Sequence, residues 1–322
     1  MQKILITGGS GFIGNNMVQY LLDKGNIILN VDKMPPINTK NNQYWENVNI
    51  LDSDRLEQII LKFDPHIIIH FAAVTDLNGK DEEYYRANTT GTQNIIDIAG
   101  KLKNLKKVIF TSSMYVCKPG IIPTDYETYK PHTLYGESKV AGELLVKAIK
   151  NNTYQWVIIR PTSIWGPWFN IPYIDFFETV YKGKYFDFGK SCTKTYGFVG
   201  NAIYQISQLI NSDSANHSTF YIGDLPPTQI NEWANEISIQ MNKGKIKKIP
   251  FLLIKLASWY GDLLKIGNIK FTITSFRLKN MTTNNILPLK DIYKVAGEPP
   301  YTRQQGNIET LEWLKSYKGY KL

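Results

Sequence analysis

Gly8-Gly9-Ser10-Gly11-Phe12-Ile13-Gly14 follows the apolar run Ile4-Leu5-Ile6 close to the start of the chain. A strand, a glycine-rich turn and a helix start in this order present free backbone N–H groups to an anion, and glycine lets the backbone approach it closely. A glycine-rich string alone is weak evidence, but its place between a strand and a helix makes this one specific. The stretch therefore predicts a βα unit that holds the pyrophosphate of a dinucleotide.

A second motif, Tyr135-Gly136-Glu137-Ser138-Lys139, lies far downstream. Its phenol and ammonium are four residues apart, so that a helix places both on one face. A dinucleotide site without chemistry could be a sensor, and a Tyr/Lys pair alone could be a surface feature. Together, the two motifs indicate hydride transfer.

Short β-rich runs alternate with helical apolar spacing through the first half of the chain, which predicts an α/β fold with a parallel sheet and crossover helices. The predicted strands cover residues 3–7, 27–31, 67–71, 108–111 and 156–160. We expect a Rossmann-type, doubly wound sheet over residues 1–165 and a smaller, mixed α/β substrate lobe over residues 166–322. The segment around residues 190–225 is expected to return to the first domain.

Composition limits the class of protein. The 322 residues carry a net charge of +9, but the lysines are spread along the chain and only Lys243, Lys245, Lys247 and Lys248 form a run. We interpret that run as a solvated face and expect no nucleic-acid partner; the positive charge suits an anionic substrate better. Two cysteines suit a reducing cytoplasm, and no Cys/His cluster has metal spacing, so we expect no metal.

The most apolar later stretch, residues 249–266, is interrupted by Lys255, Asp262 and Lys265. It is too polar to span a bilayer, and an amphipathic helix of the substrate lobe is preferred over a membrane-surface role. Because Gln2-Lys3 leads directly into the first strand, we expect no signal peptide and a cytoplasmic protein without membrane insertion.

Several further motifs follow in order: His70-Phe71-Ala72-Ala73, Asn88-Thr89-Thr90-Gly91-Thr92-Gln93-Asn94, Thr111-Ser112-Ser113, Arg160-Pro161-Thr162, Gly166-Pro167, Ala296-Gly297-Glu298-Pro299 and Glu309-Thr310-Leu311-Glu312-Trp313. With the two opening motifs, the chain resembles the extended short-chain dehydrogenase/reductase family, specifically its nucleotide-sugar epimerase and dehydratase branch. The resemblance runs through essentially the whole length. It implies a nucleotide-sugar substrate and a homodimer built through the helices near residues 92–102 and 140–149.

The cofactor implied by the resemblance is NAD. Asp32 ends the second strand, where a carboxylate takes both adenosine ribose hydroxyls and repels a 2′-phosphate, although the neighbouring Lys33 could accept NADP. The residues implied to bind the cofactor are Gly8, Gly11, Phe12, Ile13, Gly14, Asp32, Lys33, Asn49, Ile50, Phe71, Ala72, Ala73, Thr111, Tyr135, Lys139, Pro161 and Ile164.

The resemblance implies a catalytic triad of Ser113, Tyr135 and Lys139. Tyr135 is the general base that removes the proton of a sugar hydroxyl, and Lys139 with the nicotinamide lowers the pKa of the phenol and holds the ribose. Ser113 hydrogen-bonds the same substrate oxygen, whereas Ser112 is expected to be structural.

Departures from the family pattern narrow the activity. The dehydratase branch has Asp and Glu in the positions of Met114 and Tyr115, so we expect no 4,6-dehydratase activity. Cys117 lies two positions beyond the cysteine of a 3,5-epimerase and is interpreted as a packing residue. Lys194 and Asn201 replace a frequent Arg and Asp of the family, respectively.

Candidate substrate contacts are Ser113, Trp168, Phe186, Lys194 and Arg277, with Phe188 and Arg303 as further candidates. The preferred function is NAD-dependent oxidation or reduction at a ring carbon, C4, of a nucleotide-activated sugar, as an epimerase or as a dehydrogenase/reductase. Two alternatives stay open: a sterol-type 3β-hydroxy dehydrogenase, and a non-catalytic NAD(P)-binding redox sensor.

Overall fold

The computed structural model describes residues 1–150, 153–170, 172–190, 192–266 and 275–321; within these ranges the side chains of residues 265, 266, 276, 277 and 280 lie outside the description. The strands are β1 (Lys3–Thr7), β2 (Ile27–Asp32), β3 (Trp45–Asn47), β4 (Ile67–His70), β5 (Lys107–Thr111), β6 (Gln155–Pro161), β7 (Ser163–Trp165), β8 (Phe186–Asp187), β9 (Thr193–Lys194), β10 (Tyr196–Phe198), β11 (Ser218–Ile222), β12 (Thr228–Gln229) and β13 (Lys247–Lys248).

The helices alternate with these strands and flank the sheet. They are α1 (Phe12–Asp23), α2 (Ser53–Phe63), α3 (Arg86–Ala99), α4 (Leu134–Lys147), α5 (Tyr173–Tyr181), α6 (Val199–Asn211), α7 (Ile230–Gln240), α8 (Phe251–Ile266), α9 (Ser275–Thr282), α10 (Lys290–Ala296) and α11 (Arg303–Lys318). Within the described residues, no helix combines the length and the hydropathy that crossing a bilayer requires.

Seven parallel strands form the central sheet in the order β11-β6-β5-β4-β1-β2-β3, which confirms the predicted α/β class and doubly wound sheet. Ile4 of β1 is in register with Ile28 of β2 on one side and with Ile67 of β4 on the other. The five predicted strands are all present, and four of them differ from the prediction by one residue at one or both ends. The outer strands β3 and β11 were not predicted.

Strand order reverses at β1, since β2 and β3 follow on one side while β4, β5, β6 and β11 follow on the other. In open α/β sheets, the crevice beyond the carboxyl ends of the strands at such a reversal is where ligands bind. The turn between β1 and α1 and the loop after β4 both leave the sheet at this point.

Alternating residues of the strands pack into two cores. On one face, Ile4 and Ile6 pack with Met17 of α1 and Ile203 of α6. On the other, residues such as Leu5 and Ile68 pack with helices α2 and α3. The first core continues into Trp165, Phe177, Trp233 and Leu311, so the sheet and the C-terminal lobe share one hydrophobic cluster. In that lobe, β7 pairs with β10, β9 with β12 and β8 with β13 as two-stranded sheets.

Candidate active site

A cleft of about 1120 Å³ opens beyond the carboxyl ends of the strands at the reversal. It brings together every residue predicted to bind the cofactor and all three predicted catalytic residues: Gly8, Gly11, Phe12, Ile13, Gly14, Asp32, Lys33, Asn49, Ile50, Phe71, Ala72, Ala73, Thr111, Ser113, Tyr135, Lys139, Pro161 and Ile164. The two motifs that lie more than a hundred residues apart in sequence therefore face one space.

The glycine turn is shaped for close approach by a ligand. Gly8 has φ of 73° and its N–H donates to the carbonyl oxygen of Val31, 3.0 Å away. A Cβ on Gly14 would overlap the Gly8 carbonyl oxygen. Helix α1 starts at Phe12 without an acidic residue in its first turn, so the N–H groups at its start and the positive end of its dipole can take an anion. These features fit a pyrophosphate.

Asp32 ends β2 at the edge of the cleft. Its carboxylate oxygens accept from the backbone N–H groups of Ser10, at 3.2 Å, and Met34, at 3.0 Å. Burial raises the pKa of the carboxyl, and these hydrogen bonds act in the opposite direction. The exposed Lys33 lines the same part of the cleft. The carboxylate is thus held in place and is positioned to accept hydrogen bonds from ligand hydroxyls.

A buried histidine organises the loop after β4. His70 Nδ1 lies 2.7 Å from Thr7 Oγ1, and its Nε2 lies 3.2 Å from Thr92 Oγ1. Burial lowers the pKa of His70 to about 3, with a smaller contribution from Lys139, so the imidazole is neutral at physiological pH. Thr7 Oγ1 also accepts from the N–H of Ala72 at 3.3 Å. These hydrogen bonds fix the start of the loop formed by residues 71–74, which lines the cleft.

Asn88 links the same loop to the helix that carries Tyr135 and Lys139. Its side chain accepts from the Val74 N–H at 2.8 Å and donates to the Val74 carbonyl at 3.0 Å. The same amide donates to Ser138 Oγ at 2.9 Å. The two walls of the cleft are thereby held in a fixed relation.

Helix α4 begins at Leu134 and places the predicted catalytic pair. Thr133 caps it by accepting from the Gly136 N–H at 3.0 Å, a contact that favours helix initiation here. Tyr135 and Lys139 are both buried, and Lys139 Nζ donates to the carbonyl oxygen of Thr111 at 2.9 Å. That bond ties the ammonium to the end of β5, beside the cleft.

Burial dominates the acid–base properties of the pair. It raises the pKa of the Tyr135 phenol to about 12, while a hydrogen bond with the Ser113 side chain pulls it down. Burial lowers the pKa of Lys139 to about 8, and the Glu143 carboxylate counteracts this. In the site as described, the ammonium is therefore mostly charged at pH 7 and the phenol is protonated.

The residues that follow Ser113 pack around the phenol. The Tyr115 ring lies edge-on at 6.0 Å from the Tyr135 ring and stacks on His132 at 5.8 Å. Met114 and Tyr115 both line the cleft. Cys117 is buried and donates to the Thr128 carbonyl at 3.1 Å, as expected of a packing residue.

Apart from Ser113, the predicted substrate contacts with described side chains do not line this cleft. The Trp168 ring packs against Trp313 and Tyr317, with centroids 5.8 and 6.4 Å away. Phe186 lies in β8, where it pairs with Lys247, and Lys194 lies in β9, where it pairs with Thr228. These three side chains thus lie outside the lining of the cleft, and their assignment to substrate stays a prediction.

The two further candidates, Phe188 and Arg303, do not line the cleft either. Phe188 is buried against Phe251, and the Arg303 guanidinium forms an ion pair with Glu236 and donates to Thr228. The side chain of Arg277 lies outside the described part of the chain. Their assignment to substrate stays a prediction from sequence.

Sequence reasoning missed a group of polar residues that line the cleft: Thr75, Asp76, Asn78, Arg86, Asn170 and Tyr173. Arg86 is exposed and ion-paired with Glu83 at 2.9 Å. The signal that could have found the first three is their position directly after β4, at the reversal of strand order.

A sequence profile of the NAD-dependent epimerase/dehydratase family matches residues 4–179, more than half of the 322-residue chain. The chain belongs to the NAD-dependent epimerase/dehydratase family. As a member of this family it takes NAD as its cofactor, and the glycine turn and Asp32 fit that ligand. The resemblance that the motifs indicated is confirmed.

Individual relatives of this epimerase/dehydratase chain have two kinds of substrate in their names. It is 29% identical to a 3β-hydroxysteroid dehydrogenase/Δ5→4-isomerase of Mycobacterium tuberculosis, over 98% of this chain and 90% of that protein. It is 27% identical to a UDP-glucose 4-epimerase of Vibrio cholerae, over 97% of this chain and 95% of that protein. The crystal structure of a UDP-glucose 4-epimerase with UDP-glucose from Thermotoga maritima has the same fold, with a TM-score of 0.75 and 20% identity over 98% of this chain and 99% of that one.

Proposed function

We propose that the protein oxidises and reduces a ring carbon, C4, of a nucleotide-activated sugar, as an epimerase or as a dehydrogenase/reductase. The observation that carries this proposal is the convergence of Ser113, Tyr135 and Lys139 on the cleft that also contains the glycine turn and Asp32. A proton acceptor, a cation and a dinucleotide cradle in one space are the parts that reversible hydride transfer requires.

The cleft residues divide the tasks of holding the cofactor. The turn from Gly8 to Gly14 and the start of α1 would bind the pyrophosphate, and Asp32 would accept the adenosine ribose hydroxyls. Asn49 and Ile50 would border the adenine, while Pro161 and Ile164 would border the nicotinamide. Bound NAD would supply the hydride acceptor and a positive charge in the cleft that contains Tyr135.

Tyr135 is the proton acceptor in this proposal. Its Oη takes the proton of the sugar hydroxyl as hydride leaves the carbon, and the Ser113 hydroxyl holds the same oxygen. Burial alone opposes loss of the phenol proton, since it raises the pKa of Tyr135 to about 12. We propose that Lys139 supplies the opposing charge during turnover, since its ammonium is held by the Thr111 carbonyl at the same cleft.

Elimination of water is not part of the proposed activity. Met114 and Tyr115 occupy the positions where an acid and a base would be needed, and a thioether can do neither task. Burial also raises the pKa of Tyr115 above the ordinary value for a phenol, which makes it a weaker acid. We therefore expect no loss of water from a nucleotide hexose during turnover.

A sterol substrate is the second candidate, and the Mycobacterium tuberculosis relative favours it. The same triad chemistry would act on a 3β-hydroxyl. The lining of the cleft favours the sugar substrate, because it offers hydrogen bonds to a molecule with many hydroxyl groups. The polar residues concerned are Asp76, Asn78, Arg86 and Asn170. A redox sensor without turnover is less favoured, since the Tyr/Lys pair is complete.

The test compares the two substrate classes directly. Purified protein with NAD is incubated with UDP-glucose, UDP-glucuronate or a 3β-hydroxysteroid; reduced cofactor is followed by absorbance and products by NMR and mass spectrometry. We expect a C4 epimer or a C4 ketone from a nucleotide sugar, with no reaction in the Tyr135→Phe variant. Turnover of the steroid alone would replace the first proposal by the second, and turnover of neither the nucleotide sugars nor the steroid would contradict both oxidation proposals.

A further inference from the structure

Helix α8 presents six large apolar side chains to solvent. Leu252, Leu253, Leu256, Trp259, Tyr260 and Leu263 are between 48% and 66% exposed. At ~100° per residue these positions fall within an arc of ~120°, so they form one continuous face, named here the apolar stripe. Single exposed apolar residues are ordinary, but a contiguous face of this kind marks an interaction surface.

The opposite side of α8 is the one that packs against the protein. Ser258 and Gly261 are buried, and Ser258 Oγ lies 3.5 Å from Ser275 Oγ of α9. Asp262 accepts from the Ser275 N–H at 3.1 Å. The helix is therefore attached through the side that carries Ser258, Gly261 and Asp262, which turns the apolar stripe outward.

Lysines are concentrated in the segment that carries the apolar stripe. Residues 243–266 contain six lysines and one aspartate, a net charge of +5 out of +9 for the whole chain. Lys243, Lys245, Lys247 and Lys248 are exposed just before α8. At the edges of the helix, Lys190 Nζ lies 4.3 Å from the centre of the Phe251 ring and Lys255 Nζ lies 5.1 Å from that of Trp259.

We propose that α8 binds to the surface of a lipid bilayer with anionic headgroups. The apolar stripe would enter the boundary between headgroups and acyl chains, with Trp259 and Tyr260 at the polar level, while the lysines of the same segment contact lipid phosphates. With 16 residues, the helix lies on the membrane and does not cross it. The proposed hydride chemistry uses neither the lysine run nor the apolar stripe. Binding to an anionic bilayer would give both a function.

Charge favours lipid over a second copy of the chain. If two copies met through the apolar stripe, their lysine clusters would face each other around the contact, and like charges at close range repel. An anionic membrane surface supplies the opposite charge over the whole area. The inference is independent of the substrate and of the proposed hydride transfer.

The experiment is co-sedimentation of the full chain with vesicles of phosphatidylcholine alone or of phosphatidylcholine with phosphatidylglycerol. We expect binding to the anionic vesicles and weaker binding at high salt. The double variant Leu256→Gln/Leu263→Gln should weaken it by roughly tenfold or more, since it removes apolar contact with the boundary. The double variant Lys247→Gln/Lys248→Gln should also weaken it by roughly tenfold or more, through lost attraction to the lipid charge.

Matched controls exclude general effects of composition. Ile239→Gln/Ile308→Gln removes two comparably exposed apolar side chains from α7 and α11, and Lys103→Gln/Lys106→Gln removes two exposed lysines outside this region. Both should bind anionic vesicles as the wild type does. A second readout does not depend on the glutamine variants. A polarity-sensitive dye is attached to Leu263→Cys, which is labelled selectively because Cys117 and Cys192 are buried. Its emission should shift to the blue on the same vesicles, since the dye enters a less polar surrounding.

The proposal is overturned if the wild type does not sediment with anionic vesicles, or if the stripe variant binds as well as its control. Light scattering without lipid tests the alternative that a second copy of the chain covers the apolar stripe. If Leu256→Gln/Leu263→Gln halves the mass and the wild type does not bind vesicles, the apolar stripe is a contact between copies.

Discussion

At Tyr135, two physical effects oppose each other. The phenol must lose a proton to act as a base, yet it is buried, and burial disfavours the charged form. Ser113 offers a hydrogen bond, and Lys139 contributes a positive charge on the same helical face. In the proposed mechanism, a positive charge near the ring would shift this balance toward the phenolate, and bound NAD would supply one.

The first prediction tests this residue. Tyr135→Phe keeps the ring and its contacts with Tyr115 but removes the proton acceptor, so hydride transfer should fall by at least ~10²-fold while NAD still binds. Ser113→Ala should cost less, because the base remains. Lys139→Met should damage both turnover and NAD binding. Stopped-flow absorbance and calorimetric titration measure the two effects, and near wild-type turnover by Tyr135→Phe would refute the triad.

The second prediction concerns the choice of cofactor. Asp32 holds a carboxylate at the end of β2, where it repels a 2′-phosphate, so NAD should bind more tightly than NADP. Asp32→Ala should reduce the preference for NAD because it weakens NAD binding, whereas Lys33→Ala should increase that preference because it weakens NADP binding. Isothermal titration with each cofactor is the measurement. Equal or tighter NADP binding by the wild type would contradict the role of Asp32.

The third prediction uses a departure from the family pattern. Asn201 donates to the Asp224 carboxylate at 3.0 Å and to the Tyr301 carbonyl at 2.8 Å. Burial raises the pKa of Asp224 to about 7, against hydrogen bonds from Phe198 and Asn201 that lower it. Because this pKa lies above the unfolded value, the stability that Asp224 contributes is greatest at low pH and is lost as the pH rises to about 7.

Asn201→Asp would therefore place two carboxylates together in a buried site. Its free energy of unfolding should fall by about 2–3 kcal/mol at about pH 8, and by less at about pH 5, where Asp224 is protonated and can donate. Asn211→Asp, at an exposed position of the same helix, is the control. Thermal unfolding at both pH values gives the comparison; a loss that is equal at both would show that charge repulsion is not the cause.

At the scale of elements, α4 is fastened to the sheet by a buried ion pair. Arg160 of β6 donates to both carboxylate oxygens of Glu143, each at 2.8 Å, and both side chains are inaccessible to solvent. Tyr129 Oη also donates to Glu143 at 2.8 Å. Since Glu143 follows Lys139 by one turn, this pair sets where the helix face that carries Tyr135 and Lys139 lies.

The fourth prediction is that Glu143→Gln destabilises the protein by about 3–5 kcal/mol, because it leaves the Arg160 charge buried without its partner. Glu127→Gln is a matched control, because Glu127 is the exposed ion-pair partner of Lys147 in α4. It should lower the free energy of unfolding by less than about 1 kcal/mol. Chemical denaturation measures both. Equal effects would show that the buried pair does not anchor α4.

At the scale of the whole molecule, α3 and α4 pack side by side with Asn88 and Ser138 between them. The proposed homodimer uses the outer faces of these two helices, as the family resemblance implies. Leu144 of α4 is large, apolar and 52% exposed on such a face. A two-fold axis through this surface would bury it against its own copy.

The fifth prediction follows: light scattering at micromolar concentration should give a dimer mass, and Leu144→Glu should give a monomer, since a buried carboxylate pair is unfavourable. Leu61→Glu, on the exposed side of α2, should stay dimeric. The effect is distinct from that of the α8 variants, which should keep the dimer. A monomer mass for the wild type would contradict the proposed homodimer.

The sequence by itself determined the local parts of this protein. Each of the strands β1, β4 and β5 contains three consecutive apolar residues, because both faces of a parallel sheet are buried. The glycine turn and the Tyr135/Lys139 pair depend on spacings of a few residues, so a single sequence is enough to predict them. The same holds for the family, since its motifs are short and ordered.

Only the tertiary structure decided which distant residues meet. β11 pairs with β6 at the edge of the central sheet, although more than fifty residues separate the two strands in sequence. Arg86 lines the cleft while Trp168 packs on Trp313, and nothing in the sequence around either residue distinguishes these outcomes. The apolar face of α8 reads like a buried one in sequence yet lies exposed. Burial and pairing are properties of contacts between segments far apart in the chain, whereas periodicity reports only which face of an element is apolar and not what covers it.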